Sequence, residues 1–369
     1  MYLRKLILHN FKNYEEQHLD FIPGINCLVG ENGAGKTNLL DAIHVLSLTK
    51  SAFNPVDSQN IRKGLGYYAV NGQFETGGTT EEVICGFQIG KSKSVKLNKV
   101  EYDKLSLHIG KFPLVLIAPN DSDLIREGNE VRRKFLDGII AQHDAAYLND
   151  LIRYNHFLKQ RNALLKNFNE TRVRDLDLLF PYDKNLKELA AAIYSKRVSF
   201  FNQFIPFFNQ HYAHVSGNKE EVNIQYKSQV EDEDFPSLFH SFLEKDIYQQ
   251  RTNAGIHKDE IVFEIEDMPL KKFGSQGQQK SFAISLKLAQ YDCLHAIMGK
   301  KPLLLLDDVF DKLDDLRIKH LLGLMAENHF GQIFLTDARP ERTASLLESV
   351  ETEKKIFNVI NGVVKVNEP

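Results

Sequence analysis

Eight residues near the start of the chain, Gly30-Glu31-Asn32-Gly33-Ala34-Gly35-Lys36-Thr37, fit the pattern G-x-x-x-x-G-K-[S/T]. The glycines permit a tight loop, and backbone N–H groups plus a following helix N-terminus can point at an anion. That chemistry suits the phosphates of a nucleotide. Lys36 is spaced to reach the β- and γ-phosphates, and the Thr37 hydroxyl to coordinate Mg²⁺. The neighbours of the loop fit as well. Residues Ile25–Val29 read as a buried strand, and Leu39, Leu40, Ile43 and Leu46 recur on one helical face after it.

Such a loop needs an acid at the end of a neighbouring strand. Leu303-Leu304-Leu305-Leu306-Asp307-Asp308 supplies one. Four leucines in a row suit a parallel strand covered on both faces. Asp307 would emerge at its end to hold Mg²⁺, directly or through water. Asp308 follows and is the candidate for orienting, or taking a proton from, an attacking water. Together these give catalytic candidates Lys36, Asp307 and Asp308, with Thr37 and Asp307 as metal ligands for ATP and Mg²⁺.

A third segment, Phe273-Gly274-Ser275-Gln276-Gly277-Gln278-Gln279-Lys280, precedes a long helical pattern. Ser275 is a natural N-cap, and Gly277 would let a phosphate approach the backbone. An ordinary capped helix would look similar. Its placement before the acid pair resembles the signature motif of ABC-type ATPases. That resemblance implies that Ser275, Gln276, Gly277 and Gln278 cap a nucleotide held by a second copy of the chain. Val309-Phe310-Asp311-Lys312-Leu313-Asp314 resembles the D-loop of the same class, and Thr336 stands where many members carry a switch histidine. The missing histidine points to slow hydrolysis.

The elements that must position these residues are legible in outline. Ala69–Phe74, Glu82–Ile89 and Ser94–Leu97 read as strands, and Leu114–Ala118 as a buried strand. Helical spacing at Tyr147, Leu151, Tyr154, Leu158 and Leu165, and again at Leu186, Leu189, Ile193 and Phe200, predicts a helical hairpin or small bundle broken near Phe180-Pro181. Val222–Tyr226 reads as a strand, Phe235–Tyr248 as a helix and Ile261–Glu266 as a strand. Helices over Gln276–Met298 and Asp314–Asn328, a strand over Gln332–Thr336 and a hairpin turning at Asn361-Gly362 complete the pattern. The expected fold class is α/β: an ATPase head with a β-rich lobe and a short helical arm. The expected divisions are 1–130 (first half of the head), 131–250 (arm) and 251–369 (second half).

Composition limits the rest. The 369 residues carry 46 Lys plus Arg against 49 Asp plus Glu, a formal charge of −3. A chain that coats nucleic acid by bulk charge would be basic, so any such contact must be local. No apolar run approaches the roughly 20 residues that span a bilayer, and the first residues do not read as a signal peptide. Cys27, Cys85 and Cys293 form no CxxC pair, which argues against a zinc ribbon or a disulfide scaffold and for a reducing, cytoplasmic setting. His211 and His214 lie one helical turn apart with no third ligand evident.

Across nearly its whole length the chain resembles the RecF family. Asn10-Phe11-Lys12-Asn13-Tyr14 is similar to the family's opening motif, and Leu28 to Asn38 to its phosphate loop. Arg132-Arg133-Lys134-Phe135-Leu136-Asp137, Lys159-Gln160-Arg161-Asn162 and Gly255-Ile256-His257-Lys258-Asp259-Glu260 resemble further family stretches, with Ile256 for Pro and Lys258 for Arg in the last. Ser275 to Lys280 is close to the family's Ser-x-Gly-Gln-x-Lys/Arg form. Asn120 and Asn129-Glu130 depart from the pattern, and the Q-loop glutamine is open between Gln59 and Gln73. The resemblance implies a head like that of chromosome-structuring ATPases without their long coiled coil. Helices within 131–212 would reach about 30–50 Å at roughly 1.5 Å per residue. It implies that Lys12 and Asn13 join the nucleotide site. It further implies an ATP-dependent homodimer and DNA binding at gaps or single-strand/double-strand junctions. Slow hydrolysis would release the DNA, and RecR and RecO would act with the dimer to load RecA.

Candidate DNA contacts are Arg62, Lys63, Lys91, Lys93, Arg132 and Arg133, with Lys96, Lys99, Lys134, Lys159, Arg161, Arg172 and Arg174 behind them. Basic side chains neutralise phosphates without reading sequence. Most scattered cations simply face water. The alternative from another class is the ATPase subunit of a membrane transporter, which would carry its signature nearer the phosphate loop. A nuclease would need an added carboxylate cluster for two metals. A small-molecule kinase would need neither Ser275 nor a dimer.

Overall fold

The four leucines Leu303–Leu306 form a strand buried on both faces, and the strands Ile25–Val29 and Ile333–Asp337 are buried throughout. The computed structural model that shows this describes residues 1–172, 174–231, 235–310 and 315–366. These strands belong to a six-stranded sheet in the order Val363–Val366, Lys354–Ile360, Ile25–Val29, Ile333–Asp337, Leu303–Leu306, Leu114–Ile117. All neighbours pair in parallel except the first two, which form an antiparallel hairpin. Asn361 and Gly362 both have positive φ (48° and 78°), as a two-residue hairpin turn requires.

A second sheet is an antiparallel meander in the order Tyr14–Asp20, Tyr2–Phe11, Tyr67–Thr76, Thr79–Gln88, Ser94–Leu97, Val100–Glu101. The helix Lys36–Leu48 lies in the core formed with both sheets. Its Leu39, Leu40, Ile43 and Leu46 share one apolar cluster with Leu3, Leu6, Leu8, Val70 and Phe74, and with Leu28, Leu305 and Phe334. Burial of this kind contributes about 25 cal/mol per Å² of apolar surface. The helix that carries Lys36 and Thr37 is therefore set by packing along its length.

The helical segments form a separate unit. Helices span Asn129–His143, Ala145–Thr171 and Phe180–Ser216, the last with Pro181 in its first turn, where a missing N–H costs nothing. Its 37 residues make it about 55 Å long at 1.5 Å per residue, somewhat beyond the expected reach. The single helix expected over 235–248 is two, Phe235–Ser241 and Leu243–Gln249, separated at Phe242. A three-stranded sheet orders Met268–Pro269, Glu260–Ile265 and Val222–Lys227.

Contacts divide the chain at Asp121 and Gln279, not at 130 and 250. One unit holds residues 1–121, 214–217 and 280–369, and the other holds 122–213 and 218–279. The reason is pairing and charge. Glu260–Ile265 pairs antiparallel with Val222–Lys227 along its length. The buried Arg197 guanidinium bonds Asp259 Oδ2 (2.6 Å), the Ile256 carbonyl (3.0 Å) and Asp137 Oδ1 (2.8 Å). Tyr226 and Ser228 also donate to Asp259, at 2.5 and 2.6 Å. His257 bonds the Tyr154 hydroxyl (2.7 Å), and burial pushes its pKa down to about 4. The Gly255 to Glu260 stretch thus serves the interior of the helical unit.

Candidate nucleotide-binding site

The phosphate loop is braced by side chains of the first hairpin of the chain. Asn13 Nδ2 donates to the Ala34 carbonyl (3.1 Å), and the Tyr14 hydroxyl to the Gly35 carbonyl (3.0 Å). Asn38 Nδ2 returns a bond to Asn13 Oδ1 (2.8 Å), and the Gly362 N–H meets the Ala34 carbonyl (3.0 Å). Gly35 has φ +119°, and a Cβ there would sit 2.4 Å from Asn13 Nδ2. The expected role of Asn13 at the loop therefore has a geometric basis.

Lys12 pairs with an acid of the helix that follows the loop. Its ammonium lies 2.5 Å from Asp41 Oδ2, almost fully buried, and over the rings of Phe11 and Phe53. Asp41 also accepts from Ser51 Oγ (2.6 Å) and Ala52 N–H (2.7 Å). Lys12 braces the helix that follows the loop through this pair with Asp41.

Lys36 curls back over the loop. Its ammonium donates to the carbonyls of Gly30 (2.6 Å) and Glu31 (2.9 Å). Burial lowers its pKa, and the nearby Asp308, Asp307 and Asp337 oppose that shift. Thr37 Oγ1 lies 2.9 and 3.1 Å from the carboxylate oxygens of Asp307. Thr336 Oγ1 donates to Asp307 Oδ1 (2.8 Å) and accepts the Asp308 N–H (2.9 Å). Burial raises the Asp307 pKa, and the bonds from Thr336 and Thr37 oppose it. Asp308 has φ 49°, a left-handed turn that re-aims the chain as it leaves the strand.

A hydroxyl and a carboxylate meeting at the loop are hard oxygen donors, the kind Mg²⁺ takes when it keeps most of its waters. The donor set fits that ion. Among the described residues there is no group of three or more His, Cys, Asp or Glu that could hold a metal alone. A cleft of about 360 Å³ borders the outer side of the loop, lined by Val29 to Asn32, Ala34 and Asn358 to Asn361.

Two buried polar residues have no role in the sequence reading: Asp337 at the site, and Gln332 at the opposite end of the same strand. Asp337 accepts Thr343 Oγ1 (2.7 Å) and Arg339 N–H (2.8 Å), and its carbonyl receives the Gly30 N–H (3.3 Å). Gln332 bonds both the N–H and the carbonyl of Leu3. A buried acid closing a strand was the available signal for Asp337. Gln332 had none.

The signature-like segment has the geometry of a capping box. Ser275 Oγ accepts the Gln278 N–H (3.2 Å), and the Ser275 N–H donates to Gln278 Oε1 (2.7 Å). Ser275 and Gln276 are exposed, and the helix runs Gln276–Met298 as expected. Gly277 lies in its first turn. Of the D-loop stretch, Val309 and Phe310 are buried, and Asp311 to Asp314 lie outside the described residues. Gln59 is exposed in a short turn and Gln73 sits in a meander strand.

The basic candidates divide sharply. Lys63 and Lys91 are exposed, and Arg62 pairs with Glu15 at 2.8 Å. Lys93 forms an ion pair with Asp57. Arg132 donates to the carbonyls of Leu124 (2.9 Å), Ile125 (3.0 Å) and Ile261 (2.7 Å) and stacks 4.4 Å from the Phe263 ring centre. Arg133 donates to the Asp259 carbonyl (2.6 Å). Arg132 and Lys93 are half-buried and tied to partners within the chain.

The family model described as RecF/RecN/SMC N terminal domain matches residues 2–364. The DNA replication and repair protein RecF of Flavobacterium johnsoniae is 46% identical over 359 residues, covering 97% of this chain and all of that one. That of Cytophaga hutchinsonii is 44% identical over 369 residues, covering 100% and 98%. The chain belongs to the RecF family. Among solved structures, the recombination mediator protein RecF-ATP of the RecFOR pathway superposes with a TM-score of 0.89 at 29% identity, covering 100% of this chain and 98% of that one. An Smc head bound to the C-winged helix domain of ScpA gives 0.58 at 17% identity, covering 99% and 97%, which places RecF and Smc heads in one fold. The RecF likeness runs end to end and gives the transporter alternative no support. No helix among the described residues is long and apolar enough to cross a membrane.

Proposed function

We propose that this chain is an ATP-gated DNA clamp of recombinational repair. Two copies close on ATP, the closed dimer grips DNA at gaps or junctions, and slow hydrolysis lets go. In that role it works in the cytoplasm with RecR and RecO to place RecA on single strands. The observation that carries the reading is the convergence of Lys36, Thr37 and Asp307 on one loop, with the exposed, capped Ser275 at a helix start to meet a second copy.

Each residue has a part. The N–H groups of Gly33 to Thr37 bind the phosphates, and Lys36 exchanges its two carbonyl partners for phosphate oxygens. Thr37 and Asp307 would hold Mg²⁺, which when bound spreads the charge of the β- and γ-phosphates. Thr336 holds the Asp307 carboxylate and the Asp308 backbone in place. Asp308 is the acid best placed in sequence to orient water. With threonine where a switch histidine would stand, Thr336 offers no titrating sensor, which suits a slow timer. Ligand that binds only the closed dimer stabilises it by mass action, so ATP and DNA strengthen each other.

Fluorescence anisotropy of labelled gapped duplex, with ATP, ADP or no nucleotide, tests the reading, with light scattering to report mass. Tight binding with ATP alone, lost together with the dimer in Lys36→Ala and Ser275→Arg, is the expected result. Binding that ignores nucleotide would overturn it.

A further inference from the structure

Gln278 is pinned at both ends of its amide. Its Oε1 accepts the Ser275 N–H at 2.7 Å, and its Nε2 donates to Glu220 Oε1 at 3.0 Å. The second oxygen of Glu220 accepts the Tyr212 hydroxyl at 2.6 Å. Tyr212 is 1% exposed and belongs to the long helix Phe180–Ser216. Glu220 sits in the link between that helix and the strand Val222–Lys227, and the link is braced by Glu221 N–H on Glu266 Oε1 (2.8 Å). All these residues lie in the same contact unit, whereas the phosphate loop lies in the other.

An ionised carboxylate accepts and never donates. Glu220 therefore admits only the NH₂ end of the Gln278 amide, which turns the carbonyl end toward Ser275. The reversed amide would set a donor against the Ser275 N–H and break half of the capping box. Glu220 thus chooses between two amide orientations, one of which seats Ser275. An oxygen held by Tyr212 fixes the carboxylate in turn.

We infer that Glu220 is a positioning residue for the signature segment: through Gln278 it sets Ser275 for the nucleotide of a second copy, and through Tyr212 it couples that segment to the long arm helix. The inference rests on the ATP-driven dimer proposed above. It predicts an effect on dimer closure, with nucleotide capture at the phosphate loop untouched by changes at Glu220.

The test is an amide–carboxylate exchange. Light scattering over a protein dilution series, with ATP and Mg²⁺, would give the dimer dissociation constant of wild type, Gln278→Glu, Glu220→Gln and the double variant. Gln278→Glu keeps the cap but sets carboxylate against carboxylate, and should weaken closure roughly ten-fold or more. Adding Glu220→Gln should restore it to within about three-fold, because the new amide can donate to position 278 and accept from Tyr212. Tyr212→Phe, which removes one hydroxyl, should weaken closure a few-fold, with melting curves confirming that every variant folds. A double variant no better than Gln278→Glu, or a Gln278→Glu protein that closes like wild type, would overturn the relay. A wild-type protein that stays monomeric with ATP would instead sink the clamp reading itself.

Discussion

The hydroxyl of Thr37 and the carboxylate of Asp307 stand 270 positions apart in the chain and 2.9 Å apart in space. The contact closes the loop end of the helix Lys36–Leu48 onto the strand Leu303–Leu306. It also holds a buried acid at the metal position proposed above.

That burial has a measurable cost. Burial raises the Asp307 pKa above the unfolded value, so the folded state holds its proton longer. The charged form therefore subtracts stability above the folded pKa, and the penalty fades as pH falls toward the unfolded value. Asp307→Asn should melt higher than wild type at pH 7 without Mg²⁺, with the gap closing on acidification. Its hydrolysis should drop on the order of 100-fold. A variant that melts lower at pH 7 would contradict the account.

Lys36 now bonds two carbonyls of its own loop. In Lys36→Ala those carbonyls turn to water at little cost, but the phosphates lose a charge-assisted partner. Each such bond contributes about 1.5–3 kcal/mol. Calorimetric titration should show ATP affinity falling roughly 10- to 100-fold. Because the ammonium is spaced for the β- and γ-phosphates, ADP should lose less.

Two glycines of the loop should respond differently to alanine. A Cβ at Gly30 (φ +152°) would lie 2.2 Å from the Val359 carbonyl oxygen, a collision with backbone. At Gly33 (φ +82°) a Cβ meets nothing within 4 Å. Gly33→Ala should cost about 1 kcal/mol, the ordinary penalty of a left-handed alanine. Gly30→Ala should cost about 2–3 kcal/mol or more and loosen the Lys354–Ile360 strand. Urea denaturation of both variants would rank them, and equal costs would refute the collision.

Arg197 is 1% exposed and faces Asp137 and Asp259. Arg197→Met would strand both carboxylates and should destabilise the helical unit by about 3–5 kcal/mol at pH 7. Without the guanidinium, burial pushes the Asp259 pKa further up, so the folded variant gains stability as pH falls through that raised value. Denaturation at pH 7 and pH 5 should show the gap to wild type narrowing at the lower pH. A gap that widens would mean the carboxylates are not the cause.

Local patterns announced much of this molecule. The leucine strand, the helix Gln276–Met298 and the Asn361-Gly362 turn each follow from short-range periodicity or turn chemistry. Family resemblance added the opening motif, whose Asn13 donates to a carbonyl of the loop. The destinations of long cations were not legible. Lys12, Lys93 and Arg132 look in sequence like surface charge, yet each meets partners brought from distant segments. Nor did periodicity show that Lys354–Ile360 would lie beside Ile25–Val29, since strand order is set by the whole sheet. The helix break at Phe242 carried no glycine or proline to mark it.

The strand Lys354–Ile360 lies in parallel beside Ile25–Val29, and the Gly362 N–H bonds a carbonyl of the phosphate loop. During synthesis the loop leaves the ribosome well before this neighbour. The segment 122–279 emerges between them and can begin to pack while the head waits, as units made first tend to fold first. Until residue 354 is made, a nascent chain therefore carries the loop without the strand that completes its flank. Before that strand and its turn arrive, the Ala34 carbonyl lacks its Gly362 partner and the loop has one brace fewer.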